Sequence, residues 1–435
     1  MKRFKQGIYI WVILCLVVVL CALLSHRLTR KKEGQEQSYV ESKLPEGKYL
    51  PDADNPMIRV VIKNNGFRAV THNEVSLSAE KGLVVKMGDA RQELAGGQEF
   101  VIGAGAEQFQ SGSIWILPKE ETDRITVHTL TRGYGTPSYR GAFELFSTAE
   151  GIVIVNELPA EEYLYAVVPS EMPASYEMEA LKCQAVCARS YAYCQMLSFA
   201  YPEYSAHVDD STSFQVYGNS KEQETTNRAI QATVGQKLWY QNKVVKTYYY
   251  STSCGKSTSV EAWGTVLSTE NQYLCGVDIC DEEGNAYEES LPWYRWEATI
   301  PKKLLSDLIE LNTETEIGTL KELTITKQGK GGIALQIIAK GTKGKVTVNT
   351  ENKIRKVLGG EGYQIKKQDG TVIKSTRLLP SAFFFIEKNG ENYIIKGGGY
   401  GHGIGMSQNG AHEMAKTGKT YEEILTFFYP GTKVR

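Results

Sequence analysis

The stretch Glu161-Glu162-Tyr163-Leu164-Tyr165-Ala166-Val167-Val168-Pro169-Ser170-Glu171-Met172-Pro173 leads into Ala180-Leu181-Lys182-Cys183-Gln184-Ala185-Val186-Cys187-Ala188-Arg189-Ser190-Tyr191. Its first part reads as an apolar, strand-like run that ends on a carboxylate between two prolines. Pro169 fixes its own φ and Pro173 biases Met172 toward an extended backbone, so Glu171 is held rigidly just ahead of a helix. That helix is predicted at about 175 to 197 and carries small residues nearly all round, a surface suited to close packing against a sheet or another helix. Two readings of Glu171 stand side by side. Desolvation would raise its pKa and fit it for general acid work, whereas a carboxylate that only complements the dipole of the following helix would stay ionised. Gln184 and Arg189 interrupt the buried helix surface. A buried guanidinium needs a carboxylate, a carbonyl or a ligand, so Arg189 either closes a structural ion pair or joins Gln184 in a cleft that positions Glu171 or the substrate.

Upstream of this stretch, short alternating or apolar runs recur between turn signals: Ile58 to Ile62, Leu83 to Val85, Ser113 to Leu117, Ile125 to Leu130, Ala142 to Phe146 and Ile152 to Val155. They predict strands. Downstream come a Ser/Thr-rich loop, further strands through Val244 to Ser251 and a mixed region to the end. Strands and helices do not alternate regularly, so the expected class is α+β, with a β-rich core and a buried helix following the loop that carries Glu171. The 435 residues suffice for two or three packed domains. With 49 Lys+Arg against 50 Asp+Glu the chain lacks the basic excess that nucleic-acid binding requires. Eight cysteines are too sparse for a disulfide scaffold.

At the N-terminus, Lys2, Arg3 and Lys5 precede an uncharged apolar run from Ile8 to Leu24. No small-residue cleavage site follows, which favours an uncleaved transmembrane helix over a signal peptide. Arg27, Arg30, Lys31 and Lys32 balance the leading positives and leave orientation open. The expected organisation is therefore a tail at 1–7, an anchor at 8–25, a polar spacer at 26–56, a β-rich region at 57–138 and a main domain at 139–435, with an insertion around 280–370.

The residues resemble the stage II sporulation protein D and amidase-enhancer domain of bacterial cell-wall proteins. The likeness is carried in order by Tyr139-Arg140-Gly141, Val155-Asn156-Glu157-Leu158, the run from Glu161 to Pro173 and the helix from Ala180 to Tyr191. It continues in Gly399-Tyr400-Gly401-His402-Gly403-Ile404-Gly405-Met406-Ser407-Gln408-Asn409-Gly410-Ala411, then in Tyr421-Glu422-Glu423-Ile424-Leu425 and Tyr429-Pro430-Gly431-Thr432. The resemblance implies an extracytoplasmic, membrane-anchored lytic transglycosylase that cuts peptidoglycan between N-acetylmuramic acid and N-acetylglucosamine. Glu171 matches the catalytic glutamate. It would protonate the glycosidic oxygen, then accept a proton from the muramoyl 6-hydroxyl as that group attacks its own anomeric carbon and leaves a 1,6-anhydro end. One carboxyl then suffices where a glycoside hydrolase usually needs two. A sporulation member would act in engulfment, with a cell-wall amidase and a membrane scaffold protein as partners. The rival expectation is a noncatalytic wall-binding module or amidase enhancer.

Gln184, Arg189, Tyr217, Tyr249, Ser251, His402, Ser407 and Gln408 are the expected substrate-binding residues. Glycines at 399, 401, 403 and 405 permit unusual backbone angles and close approach, although the segment lacks the Lys-Ser/Thr ending of a phosphate loop. A tight structural turn is the plainer reading of the same glycines. Gly405-Met406-Ser407-Gln408-Asn409 lacks the last glycine of a nucleophile elbow, which makes a serine hydrolase built on Ser407 and His402 a poor alternative. Some relatives carry zinc in the loop that here reads His207-Val208-Asp209-Asp210, but Phe214 stands where a cysteine is expected, so neither metal nor cofactor is expected. Cys183 and Cys187 read as small core residues, while Cys275 and Cys280 flank a short loop and are spaced to pair or to stay free.

Overall fold

The computed structural model describes residues 55–435. An eight-stranded sheet opens the fold, in the order Val208–Asp209, Met57–Ile62, Gly151–Pro159, Ala142–Thr148, Ile114–Pro118, Leu83–Met87 and Ala90–Leu94, with Thr71–His72 also beside Gly151–Pro159. Gly151–Pro159 is buried along nearly its whole length, as a strand flanked on both edges and covered on both faces should be. Four of the six runs read as strands fall wholly in strands, Ser113 to Leu117 begins one residue before Ile114–Pro118, and Ile125 to Leu130 is strand only over Ile125–Val127.

Helix α1 (Ala160–Glu171) follows Gly151–Pro159 directly, and α2 (Met178–Gln195) comes six residues after it. The later helices are α3 (Glu224–Ala232), α4 (Lys302–Thr313), α5 (Glu351–Leu358), α6 (Gln408–Lys416) and α7 (Tyr421–Phe428). Helix α2 is the shared wall of two cores. Ala185, Ala188 and Ala192 pack with the eight-stranded sheet and α1, while Leu181, Cys183, Val186 and Cys187 pack with the C-terminal half. That double burial explains the small residues on every side, since larger ones would hold the two layers apart. The C-terminal half adds an antiparallel five-stranded sheet in the order Val372–Lys374, Gln364–Lys367, Trp296–Pro301, Asn392–Gly397 and Phe384–Asn389, and a three-stranded sheet from Leu320 to Asn349.

The expected α+β architecture, a β-rich core with one buried helix, is corrected. The protein is mixed α/β, with several sheets and seven α-helices among the described residues. The decisive misreading was Glu161 to Glu171, which is helix rather than strand. A short continuous apolar run does not distinguish the two by periodicity, but Pro159 just before it and Glu161 and Glu162 in its first turn are helix-start features. Among the described residues no helix is long and apolar enough to cross a membrane, and the run Ile8 to Leu24 lies outside them.

Candidate active site

Glu171 is the last residue of α1. Met172 beside it is extended (φ −132°, ψ 136°), as the following Pro173 demands, and its side chain is buried in the C-terminal core. Glu171 therefore stands at a helix C-terminus, where the helix dipole disfavours negative charge, and not at the head of α2. The loop after residue 211 is tied to this end. Ser170 Oγ accepts from the N–H groups of Asn219 and Ser220 at 3.1 Å each, and the Gly218 N–H donates to the Ala166 carbonyl at 3.2 Å. The same loop delivers the Val216 N–H to Glu171 Oε1 at 2.6 Å.

The carboxyl opens on a cleft of about 330 Å3, lined also by Tyr191, Phe214, Tyr248, Tyr249, Trp263 and His402. Among the described residues lining it, Glu171 is the sole carboxylate. Desolvation pushes its pKa up to about 7, against the opposing hydrogen bonds from the Val216 N–H and the Tyr249 hydroxyl. Gln215 donates to that hydroxyl at 3.1 Å and is itself anchored on the Ala188 carbonyl of α2 at 3.3 Å.

The glycine-rich segment closes the cleft from the other side. Tyr249–Tyr250 pairs in parallel with Met406–Ser407, which seats α6 against the end of α1. Gln408, the first residue of α6, donates to the Glu171 carbonyl at 2.9 Å and to Gln184 Oε1 at 3.1 Å. Gly405 (φ +77°) is obligatory here, because a Cβ would stand 2.0 Å from the Tyr248 carbonyl oxygen.

Residues 148–240 match the family described as Stage II sporulation protein, and residues 277–405 match a domain of unknown function, DUF8618. Stage II sporulation protein D of Bacillus subtilis (strain 168) is 30% identical over 319 residues, which cover 68% of this chain and 82% of that protein. The chain belongs to the stage II sporulation protein D family. An uncharacterised protein of Brachyspira hyodysenteriae is 32% identical over 300 residues, 68% of this chain and 72% of that one. A protein named Amidase enhancer, also from Bacillus subtilis (strain 168), is 31% identical over 299 residues, 62% of this chain and 40% of its own length.

In this member of the stage II sporulation protein D family the residues singled out from sequence separate into layers. Glu171, Tyr249 and His402 line the cleft. Gln184 and Gln408 stand behind Glu171 as a hydrogen-bonded pair, with Gln184 fully buried. Ser251 and Ser407 lie one step further. The Ser251 carbonyl accepts from Asn409, and Ser407 caps α6 by accepting from the Gly410 N–H at 3.2 Å. Arg189 does not reach the cleft: its guanidinium grips Glu161 at 2.6 and 2.8 Å and touches the Gln236 carbonyl. Tyr217 is a core residue, stacked on Tyr163 and donating to Asn156 Oδ1 at 2.6 Å.

The imidazole of His402 accepts the Ile404 N–H at 3.1 Å and bonds to the Tyr249 backbone, and desolvation pushes its pKa down to about 3. It is neutral at ordinary pH. Ser407 Oγ donates to Glu288 at 2.8 Å, so the Ser407–His402 pairing of a serine hydrolase is not formed. Glu288 went unnoticed in the sequence. It is fully buried, receives Ser253 through both backbone and hydroxyl, and has its pKa pushed up to about 7 by desolvation. Trp263 and Tyr191 were also missed. Trp263 sits in a short 3-10 turn and Tyr191 in the long buried stretch of α2, and neither context carries a sequence signal for a cleft.

In the loop considered for zinc, His207 Nδ1 accepts the Arg59 N–H at 3.0 Å and its ring stacks on Phe199. Asp210 pairs with Arg132 at 2.6 Å, and Asp209 receives Tyr201 and Ser211. Those acceptors are committed to protein donors. Cys183 and Cys187 are buried free thiols, and Cys275 and Cys280 are free as well.

Proposed function

We propose that the protein is a peptidoglycan lytic transglycosylase in which Glu171 is the single general acid and base. The observation that carries this reading is one partly accessible carboxyl, its pKa pushed up to about 7 by desolvation, alone among the carboxylates of the described residues in a cleft walled by aromatic rings. Near neutrality such a group is present in both protonation states, as a residue that gives a proton and then recovers one must be. Glu171 protonates the glycosidic oxygen as the bond from the muramoyl anomeric carbon breaks. The 6-hydroxyl of the same sugar then forms a bond to that carbon and returns its proton to Glu171. No water is consumed, and the product carries a 1,6-anhydro end. A nucleophile held within the substrate needs no second carboxylate to activate it.

The Val216 N–H, which donates to Oε1, and the Tyr249 hydroxyl hold the carboxylate once the first proton has left. Gln408 fixes the backbone of the same residue. Trp263, Tyr248 and Tyr191 offer ring faces to the sugars. Location at the cell membrane is supported by the apolar stretch from Ile8 to Leu24, and a body outside the cytoplasm by the peptidoglycan substrate that this reading assigns. Work in sporulation or a related wall-remodelling process, with a cell-wall amidase as partner, is supported by the names of the relatives. Digestion of purified peptidoglycan by the parent and by Glu171→Gln, read by mass spectrometry, tests the activity. Anhydro products lost in the variant support the reading; binding without cleavage by the parent replaces it with a noncatalytic enhancer.

A further inference from the structure

A second concavity, of about 700 Å3, opens on the five-stranded sheet and shares no lining residue with the Glu171 cleft. Its wall carries Lys256, Arg295, Lys366, Lys367 and Lys396 against one carboxylate, Glu297. The whole chain has a net charge of −1, so this excess is local. Strand register builds it: Glu297 stands opposite Lys366 on one side and Lys396 on the other, and Lys396 opposite Phe385. These four side chains form one row on one face.

Lys396 is ion-paired with Glu387 at 2.9 Å. Among the described residues, Lys256, Arg295, Lys366 and Lys367 form no ion pair with a carboxylate within 4.0 Å. Arg295 is held in place by the Cys254 and Tyr294 carbonyls and lies over the Tyr294 ring, 3.9 Å from its centroid. Phe385, 54% exposed, stands in this row, whereas Trp296 and Phe384, each one residue out of step with it, turn their rings to the buried opposite face. Lys367 lies over the Trp293 ring, 4.9 Å from its centroid, and cations without a carboxylate partner beside one exposed aromatic ring suit a ligand that presents both a sugar face and anionic groups.

The chain itself joins this groove to the cleft. Gly398 lines the groove and His402 the cleft, four residues on, which limits their Cα separation to about 14 Å. Gly403 lies so close to the groove lining that a Cβ there would stand 2.5 Å from the Phe383 ring. We propose that this groove is a second binding site, which takes a carboxylate-bearing portion of a glycan strand beyond the sugars held at Glu171. The proposal rests on the reading of the Glu171 cleft as a glycan site. The cations pair with the carboxylates, and the exposed Phe385 ring takes a sugar face.

The test uses the full chain carrying Glu171→Gln, with and without Lys256→Ala and Lys366→Ala. Both lysines are exposed, so the fold does not depend on them. Binding is measured to purified glycan strands, to neutral N-acetylglucosamine oligomers of the same backbone type, and to a phosphodiester wall polymer. We expect the double variant to bind glycan strands about tenfold more weakly and with a shallower salt dependence, and to bind neutral oligomers unchanged. Unchanged affinity for glycan strands, an equal loss on neutral oligomers, or tighter binding of the phosphodiester polymer than of glycan each overturns the proposal. The chain with Glu171 intact separates the two readings. Cleavage with groove-independent binding removes the groove alone, and groove-dependent binding without cleavage removes the chemistry at Glu171 alone.

Discussion

Replacing Glu171 by Gln removes the proton equilibrium that the cleft perturbs while keeping an oxygen to accept the Val216 N–H. The carboxyl is moved from 4.5 to about 7, and each pH unit of displacement corresponds to about 1.4 kcal/mol, so the full linkage is about 3 kcal/mol. Water reaching the cleft reduces this to about 2 to 3 kcal/mol. The sign follows from which state keeps the proton. Below pH 4.5 both states are protonated; between 4.5 and about 7 the unfolded chain releases its proton and the folded one does not, so the parent loses stability as pH rises. Above about 7 the deficit is constant. Glu288 has a similarly raised pKa, but it is common to both chains and cancels in the comparison. Urea unfolding of parent and variant at pH 4 and pH 8 reads the difference. With a slope of about 3 kcal/mol per molar urea, the midpoint of Glu171→Gln should gain about 1 M on the parent between those pH values. An unchanged midpoint difference would refute the raised pKa and with it the acid role.

Cleavage of peptidoglycan by the parent should fall as pH rises through about 7, because the protonated form of Glu171 is consumed, and a rate profile on purified strands checks it. Tyr249→Phe removes a hydrogen bond that lowers the Glu171 pKa, so the alkaline limb should move upward by less than about one pH unit, as the same profile would show. Gln408→Leu frees the Glu171 carbonyl and the Gln184 amide; we expect about tenfold lower turnover with KM little changed, from steady-state kinetics. Arg189→Ala leaves Glu161 without its guanidinium partner and should cost about 3 kcal/mol or more in urea unfolding, with the pH limb of the residual activity in place.

The pair Pro169 and Pro173 made the rigidity around Glu171 legible from sequence, and the small residues of α2 made its burial legible. The surroundings of the carboxyl were not. Val216 reaches it through a backbone N–H, which no side-chain identity announces, and Trp263 arrives from a turn far along the chain. Arg189 illustrates the opposite error. A buried guanidinium was a sound expectation, but its partner is Glu161, one helix away, and sequence alone does not rank an ion pair against a ligand. Helix α1 was misread because Tyr163 to Val168 is apolar without a break: burial follows a helical period, with Tyr163, Leu164, Val167 and Val168 inside, but the half-buried Tyr165 and Ala166 between them are apolar too and hide it. Glu288 was invisible for a related reason: its three donors come from Ser253 and Ser407, brought together only by the parallel pairing of Tyr249–Tyr250 with Met406–Ser407.

The account turns on whether the nucleophile is the substrate's own hydroxyl. Digestion of purified peptidoglycan in water labelled with heavy oxygen, followed by mass spectrometry of the new ends, tests this directly. A single-carboxyl transglycosylase yields anhydro ends free of label, and they disappear in Glu171→Gln. Labelled reducing ends would show that water attacks, and would contradict the assignment of Glu171 as a lone acid and base.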